Sequence, residues 1–387
     1  MKNNKTILQI VPALNTGGVE RGVIEISKYM SEKNFRSIVI SSGGKFEHQV
    51  TRFGGTHYKL EVHSKNFLKW SSIRKKLSKI IISENVNLIH VCSRVPAWLA
   101  LPIARKLKIP LITSVHGRFR KQNILKNYYN SVLLKGDHII AISKHIENSI
   151  VSMYPHAKSN IRVIYRGVDQ SLFDKKNIPV SRIINQMKLM DINDENPIIL
   201  MASRPKFWKG QASLIRALSK LKKDFQCVLI GTADGEPGFQ KKIVDLIEKL
   251  NLGSKVKLTP STNDIQAAFM LGDVIVMPSV NPEPFGRIII EGQSLEKIVV
   301  GYDHGGISET IIDGETGFLA KPTSEDSLAE KIDIALSLND SQRKKMGKLA
   351  KKSVERNFSH VKMCEDTLEL YKQCLNEYRI KFELNSS

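Results

Sequence analysis

Cysteine is scarce in this chain: four residues in 387, at Cys92, Cys227, Cys364 and Cys374. No two form a C-x-x-C pair, so neither a disulfide framework nor a zinc site is indicated, and a reducing cytoplasm fits. Long apolar runs are missing too. No stretch reaches the length of about 18 apolar residues that a membrane-spanning helix needs. The start, "MKNNKTILQIVPALNTGG", is basic and then apolar. Gln9 interrupts the apolar run and no small-residue cleavage site follows, so a first strand is expected there rather than a signal peptide. Acidic residues are short in the first half alone. Residues 1–190 hold 32 Lys and Arg against 10 Asp and Glu, a balance of +22, whereas 191–387 hold 27 against 28. The excess gathers in "KNFLKWSSIRKKLSK" (65–79), "RKLK" (105–108) and "RFRKQ" (118–122). A basic face suits an anionic membrane, an anionic substrate or nucleic acid. A plain Lys-rich bias with solvated helix faces would load both halves alike. The basic runs carry few stacking aromatics, so nucleic acid is not expected as a partner.

What is present is an ordinary globular composition, 41% hydrophobic and 25% charged, long enough for two domains. Short β-branched runs alternate with amphipathic segments. "KTILQIV" (5–11), "RSIVIS", "VNLIHVC", "PLITSVH", "HIIAIS" and "IRVIY" read as strands, with helices such as 19–33 and 96–108 among them. Continuous apolar runs alternating with helices predict a parallel sheet covered on both faces. The pattern pauses in a polar stretch at 167–196, read as a linker. It restarts with "PIILMAS", "QCVLIG", "KVKLT", "DVIVMPS" and "KIVVGY". From about 324 the chain is almost wholly helical in pattern. The fold class is therefore α/β with two Rossmann-like parallel-sheet domains. In such sheets ligands bind beyond the carboxyl ends of the strands, which directs attention to the residues just after them.

Five segments stand out there. In "PALNTGGVERG" (12–22), Gly17 and Gly18 let backbone amides approach a phosphate or sugar at a helix start, or form a plain tight turn. His116 directly follows the strand "PLITSV". It either donates to a substrate hydroxyl or phosphate or is a satisfied histidine under a loop. Arg204 and Lys209, in "SRPKFWKGQ", flank the start of the next helix and suit a diphosphate, although a Lys-rich chain also makes chance basic pairs. In "NPEPFGRIIIEGQS" (281–294), Pro284 is expected at the first helical position, with Glu283 at the helix mouth and free amides at Phe285 and Gly286. Glu291 would then lie about two turns on, roughly 12 Å away, too far for a proton-sharing pair. The two acids could hold opposite ends of one ligand. They could also be solvated helix acids. Last, Gly305 and Gly306 in "YDHGGISETIIDGETGFLA" lead into a short helix.

Together these segments resemble retaining glycosyltransferases of family 4, also called group 1, which have the GT-B fold. "EPFGRIIIEGQS" resembles their E-x7-E signature. "SRPKFWKGQ" is similar to their R-x4-K-G element, in the W-K-G-Q form seen among alphaproteobacterial envelope and lipopolysaccharide enzymes. "DHGGISETIIDGETGFLA", "PALNTGGVERG" and "YRGVD" (165–169) resemble further family segments, in the family's order. Arg166 stands where Asn is usual, Gly292 where Ala is usual, and "GTADGEPGF" replaces the commoner G-x-G-P turn.

The resemblance implies two Rossmann-like domains facing a cleft. Residues 1–180 would form an acceptor-side domain and 181–355 a nucleotide-sugar domain. Residues 356–387 would be a C-terminal helix returning to the first. It implies transfer of a sugar, with retention, from a nucleotide-diphosphate donor to a saccharide or lipid-linked acceptor. The domains would close over the donor to exclude water. Arg204, Lys209 and the helix mouth at Phe285, Gly286 and Arg287 would stabilise charge on the β-phosphate. Glu283 would hold sugar hydroxyls and Glu291 the ribose. His116 would meet the sugar or its phosphate. Gly17, Gly18, Gly305 and Gly306 would let backbone approach the donor. No D-x-D occurs, in keeping with the family's independence of a metal, and no cofactor is expected. The enzyme would be cytoplasmic, with its basic half on the anionic inner membrane surface. A GT-B sugar-nucleotide epimerase or hydrolase, and a basic nucleic-acid-binding protein, are the alternatives.

Overall fold

A computed structural model describes residues 5–15, 17–193 and 195–383. The chain divides into two compact units. One runs up to Gly167 and resumes at His360; the other is Val168–Ser359.

The first unit is built on a seven-stranded sheet. Its strands are β1 (Thr6–Ile10), β2 (Arg36–Ser41), β3 (Thr56–Lys59), β4 (Val86–Val91), β5 (Leu111–Val115), β6 (His138–Ala141) and β7 (Ile161–Val163). Their order is β3-β2-β1-β4-β5-β6-β7, and every pairing is parallel. β1 and β5 are buried along their whole length, which is why they read as unbroken apolar runs. β3, "THYK", has no such run because it is a half-buried edge strand. The helix Gly18–Glu32 buries Val23, Ile26, Ser27 and Met30 on one stripe, the spacing of a helix packed by one face. The helix His360–Glu383 belongs to this unit. Its Met363, Cys364, Leu368, Leu370 and Tyr371 share one core with Ile7, Leu88, Ile112, Ile140 and Ile164.

The second unit carries a six-stranded parallel sheet of β8 (Ile198–Ala202), β9 (Gln226–Ile230), β10 (Val256–Thr259), β11 (Val274–Met277), β12 (Ile298–Tyr302) and β13 (Phe318–Ala320). Their order is β10-β9-β8-β11-β12-β13. The stretch expected to be a linker is part of this unit. It contains the helix Val180–Leu189, started by Pro179 and clamped by Arg182, whose Nε and Nη2 donate to Asp264 at 2.8 and 2.6 Å. Phe173 is also buried there. The unit boundaries thus lie at 167/168 and 359/360 rather than near 180 and 355. The pattern misled because the helix buries only Gln186 and leaves Val180, Ile184 and Leu189 exposed, so no apolar stripe marks its inner face.

In each sheet the first strand lies centrally and the chain reverses its direction of growth beside it. These switch points, between β1 and β4 and between β8 and β11, open a crevice at the strands' carboxyl ends. Among the described residues no helix is long and apolar enough to cross a membrane.

Candidate active site

In the second unit, three loops meet beyond β8, β11 and β12. After β8, Ser203 and Arg204 lead into a single tight turn, Phe207–Lys209. Gly210 follows at φ 87°, and a Cβ there would stand 1.8 Å from the Pro278 carbonyl oxygen. Only glycine allows this turn to lie on the loop after β11, and Val280 N donates to Trp208 O at 2.9 Å to hold it there. Gln211 opens the next helix fully buried. Its amide donates to Ser203 Oγ and Arg204 O at 2.9 and 3.1 Å.

That docking delivers Lys209 to Glu283. Lys209 Nζ is 2.6 Å from Glu283 Oε1, with side chains only 13% and 6% exposed. Ser279 Oγ donates to the same oxygen at 2.5 Å. Oε2 accepts no bond from the described residues. The ammonium also lies 4.3 Å from the centre of the Trp208 ring, an attraction that orients it further. Arg204 is exposed, and its guanidinium makes no bond within the described residues.

The glycine pair after β12 serves backbone approach. Gly306 N donates to Glu283 O at 2.8 Å. A Cβ on Gly306 would meet Phe285 Cα at 2.4 Å, and one on Gly305, at φ 67°, would meet Glu283 O at 2.6 Å. His304 Nε2 donates to Ser279 O at 2.7 Å, bracing the serine that holds Glu283.

The helix begins later than expected. Gly286, at φ 98°, is its cap and Arg287 its first residue. Pro284 and Glu283 lie outside it, Glu283 bridged to Gly305 and Pro284 in the bend that follows. The left-handed Gly286 breaks what Pro284 could have started. Glu291 is therefore one turn inside the helix, not two. It is buried, and Arg287 Nε donates to its Oε1 at 3.3 Å. Arg287 Nη1 is buried without a partner. Phe285 is buried against the Phe358 ring.

In the first unit, an open pocket of about 280 Å³ lies at the carboxyl ends of β1, β4 and β5, lined by Glu20, Cys92, Arg94, Ser114 and His116 among others. His116 Nε2 is buried with no hydrogen-bond partner among the described residues. Burial, with Arg166 and His90 nearby, holds its imidazole pKa well below the usual value, so it is neutral. A neutral imidazole with a bare ring nitrogen can take or give one hydrogen bond to a hydroxyl or phosphate oxygen. Behind it, His90 bonds Tyr371 Oη and Ser114 Oγ at 2.6 Å each, and burial drops its pKa to about 3. Gly18 starts its helix, but a Cβ on Gly17 would meet the Glu20 carboxylate at 2.2 Å. That helix start holds an acid of its own, not an open anion site. Thr16, in the same loop, lies outside the described residues.

The structure brings Arg204, Lys209, Glu283, Gly305 and Gly306 together at one switch point, with Phe285, Gly286, Arg287 and Glu291 continuing from it. His116, Gly17 and Gly18 sit at the switch point of the other sheet. Sequence reading missed Ser279, His304 and Gln211, whose roles depend on contacts far apart in the chain. It also missed that Arg166 packs against Gly22. The Arg166 guanidinium occupies the place of a Gly22 side chain, 1.7 Å from where its Cβ would be, and donates to Gly18 O.

Residues 184–353 match the family of glycosyl transferases group 1 and residues 16–172 match glycosyltransferase family 4. A glycosyltransferase of known structure from Rickettsia africae is 37% identical, with a TM-score of 0.89 over 96% of this chain and 99% of that one. An uncharacterized glycosyltransferase of Methanocaldococcus jannaschii is 31% identical over 77% of this chain and 79% of its own. A Campylobacter jejuni enzyme, named as a 4-alpha-N-acetylgalactosaminyltransferase acting on a diphospho-undecaprenol-linked saccharide, is 26% identical over 92% and 96%.

Proposed function

We propose that this chain, which belongs to the group 1 glycosyl transferases of glycosyltransferase family 4, moves a sugar with retention from a nucleotide-diphosphate donor to a saccharide or lipid-linked acceptor, without a metal ion. Its two parallel-sheet units are those of the GT-B fold. The observation that carries the reading is the buried Lys209–Glu283 pair, on the same loop after β8 as the exposed Arg204, whose guanidinium makes no bond within the described residues. The site offers two cations and, on Glu283 Oε2, a carboxylate oxygen free to accept from a hydroxyl.

Breaking the sugar–phosphate bond leaves charge growing on the β-phosphate. Arg204 and Lys209 supply fixed positive charge for it, which is electrostatic catalysis. Glu283 accepts from hydroxyls of the donor sugar, and Ser279 and Lys209 fix its direction. Glu291, held by Arg287, accepts from the ribose hydroxyls. Gly305 and Gly306 let this loop pack against the backbone of Glu283 and Phe285, and so set where the Glu283 carboxylate meets the donor. His116 is the hydrogen-bonding group of the first unit's pocket. The Campylobacter relative's named acceptor supports a lipid-linked acceptor here, and with it a place in envelope or lipopolysaccharide glycan synthesis. The basic first half supports an acceptor presented at the anionic inner membrane surface.

A thermal-shift screen against UDP-, GDP-, ADP- and CMP-sugars tests the donor. A ligand at 100 times its Kd stabilises by about 2.7 kcal/mol. The stabilising sugar nucleotide is then supplied with lipid-linked saccharides. Sugar found on the acceptor supports the reading. Release of free sugar at the same rate whatever the acceptor would overturn it in favour of a hydrolase.

A further inference from the structure

The four most exposed large apolar residues described in the first unit come as two neighbouring pairs. Phe67 and Leu68 are 68% and 91% exposed, and Ile124 and Leu125 are 85% and 80% exposed. Both pairs sit between cations: Lys65 and Lys69 around the first, Lys121 and Lys126 around the second. The wider segment is one-sided in charge. Residues 62–136 hold 15 Lys and Arg and a single acid, Glu84. Tyr58 Oη donates to Glu84 Oε1 at 2.5 Å and Arg36 pairs with its other oxygen, so even that acid is spent.

The pairs are linked by one chain of contacts, which passes beneath the surface at Trp70. The Phe67 ring lies 4.6 Å from the Trp70 ring. Arg74 lies over Trp70 at 5.6 Å and donates through Nη2 to Trp98 O at 3.0 Å. The Trp98 ring lies 5.4 Å from the Tyr128 ring, and its Nε1 donates to Tyr129 O at 3.1 Å. Lys135 caps both rings, 5.5 and 5.3 Å from their centres. Tyr128 stands on the helix Ile124–Ser131, which Ile124 and Leu125 open. Few aromatics lie in any one basic run. Folding strings four of them, with cations stacked upon them, from one apolar tip to the other.

We propose that this surface binds anionic lipid bilayers, with Phe67-Leu68 and Ile124-Leu125 inserted among the acyl chains. Trp98 and Tyr128 would then lie at the headgroup level, with the buried Trp70 supporting Phe67 from beneath, and the flanking lysines and arginines on lipid phosphates. Paired apolar tips exposed to water are a cost a free surface would shed, and marks of an interaction site. Aromatic rings with a polar edge favour the membrane–water interface. Charge complementarity selects an anionic bilayer as occupant. The proposal deepens the lipid-linked acceptor reading above and rests on it for purpose, but not for evidence. It also goes beyond electrostatic attraction, because attraction alone would not need the apolar tips.

The test uses the full chain without donor or acceptor, so its failure is separate from a failure of transfer. Vesicles of phosphatidylcholine alone and with about a third phosphatidylglycerol are cosedimented with parent, with Phe67→Ser/Leu68→Ser/Ile124→Ser/Leu125→Ser, and with Arg204→Ala. The parent and Arg204→Ala are expected to bind the anionic vesicles equally. The serine variant should bind at least tenfold more weakly, and in 0.5 M salt, where charge is screened, should not bind at all. Since all four side chains are exposed, its thermal midpoint should match the parent's. A Leu68→Trp or Ile124→Trp reporter should be quenched by brominated acyl chains. Equal binding by parent and serine variant, or no quenching at either reporter, overturns insertion. Concentration-dependent dimerisation abolished by the serine changes, with no vesicle binding, would overturn it in favour of a second copy of the chain.

Discussion

Lys209→Met separates what the buried pair does for the fold from what it does for the reaction. Lys209 and Glu283 are 2.6 Å apart and nearly enclosed. Removing one partner of a buried ion pair costs about 3–5 kcal/mol, because the other charge is stranded. Glu283 keeps the Ser279 hydroxyl at 2.5 Å, so the low end, about 3 kcal/mol, applies here. For a unit of this size, each kcal/mol moves the midpoint by about 2–4 °C, so scanning calorimetry of the whole chain should show a fall of about 6–12 °C. Lys209→Met/Glu283→Gln removes the stranded charge as well. It should return to within about 1 kcal/mol of the parent, since replacing both partners is close to neutral. Transfer should stay down by about 10²–10³-fold in both variants, because the cation is gone from the leaving phosphate. A single variant whose midpoint moves by less than about 2 °C would refute the burial argument. So would a double variant no more stable than the single. Restored transfer in the double variant would refute the catalytic one.

Arg204→Ala should leave the thermal midpoint within about 0.5 kcal/mol of the parent, since the side chain is exposed and unbonded, yet lower transfer by about 10²-fold or more in a donor-saturated assay. Gly210→Ala should fail to fold or lose more than about 2 kcal/mol by urea titration, because its φ of 87° and the Pro278 carbonyl at 1.8 Å both exclude a methyl. Gly22→Ala should lose stability by displacing the Arg166 guanidinium, and Gly22→Ala/Arg166→Asn should regain part of it in the same titration. The pH dependence follows from two buried imidazoles, His90 at about 3 and His116 also lowered. Their folded pKa values lie below the ordinary value of about 6.5, so below pH 6.5 the unfolded chain binds the extra protons. Stability of the first unit should therefore be full above pH 6.5 and fall as the pH drops, by about 1.4 kcal/mol per unit for each histidine. Urea midpoints from pH 7 to 5 should show this, with a shallower slope in His116→Asn.

Most of the sheet architecture was legible because parallel strands buried on both faces leave unbroken β-branched runs. "RSIVIS" is β2 residue for residue. β3 escaped because an edge strand needs no apolar run. The helix Val180–Leu189 escaped because it buries Gln186 while Val180, Ile184 and Leu189 face water, so its apolar residues do not mark an inner face. At the site, the residue types after β8 and β11 singled out Arg204, Lys209 and Glu283, and the last two pair in the fold. The helix start was misplaced because Pro284 and Gly286 give opposing local signals, and the left-handed glycine decides. The partner of Glu283 was not legible at all. Lys209 lies 74 residues earlier in the chain, and only the fit of Gly210 beneath Pro278 brings it there.

The helix His360–Glu383 has a consequence for biosynthesis. The ribosome finishes the strands of the first unit at Val163 and then makes roughly 190 residues of the second before this helix emerges. At about 5–20 residues per second, the face formed by Ile7, Leu88, Ile112, Ile140 and Ile164 waits some 10–40 s for the helix that covers it. The nascent first unit is then a sticky intermediate, while the second, whose sequence is continuous, can complete itself on emergence. Chaperone dependence and aggregation during expression should therefore track substitutions on that face and on Met363, Leu368 and Tyr371, more than any change near Lys209.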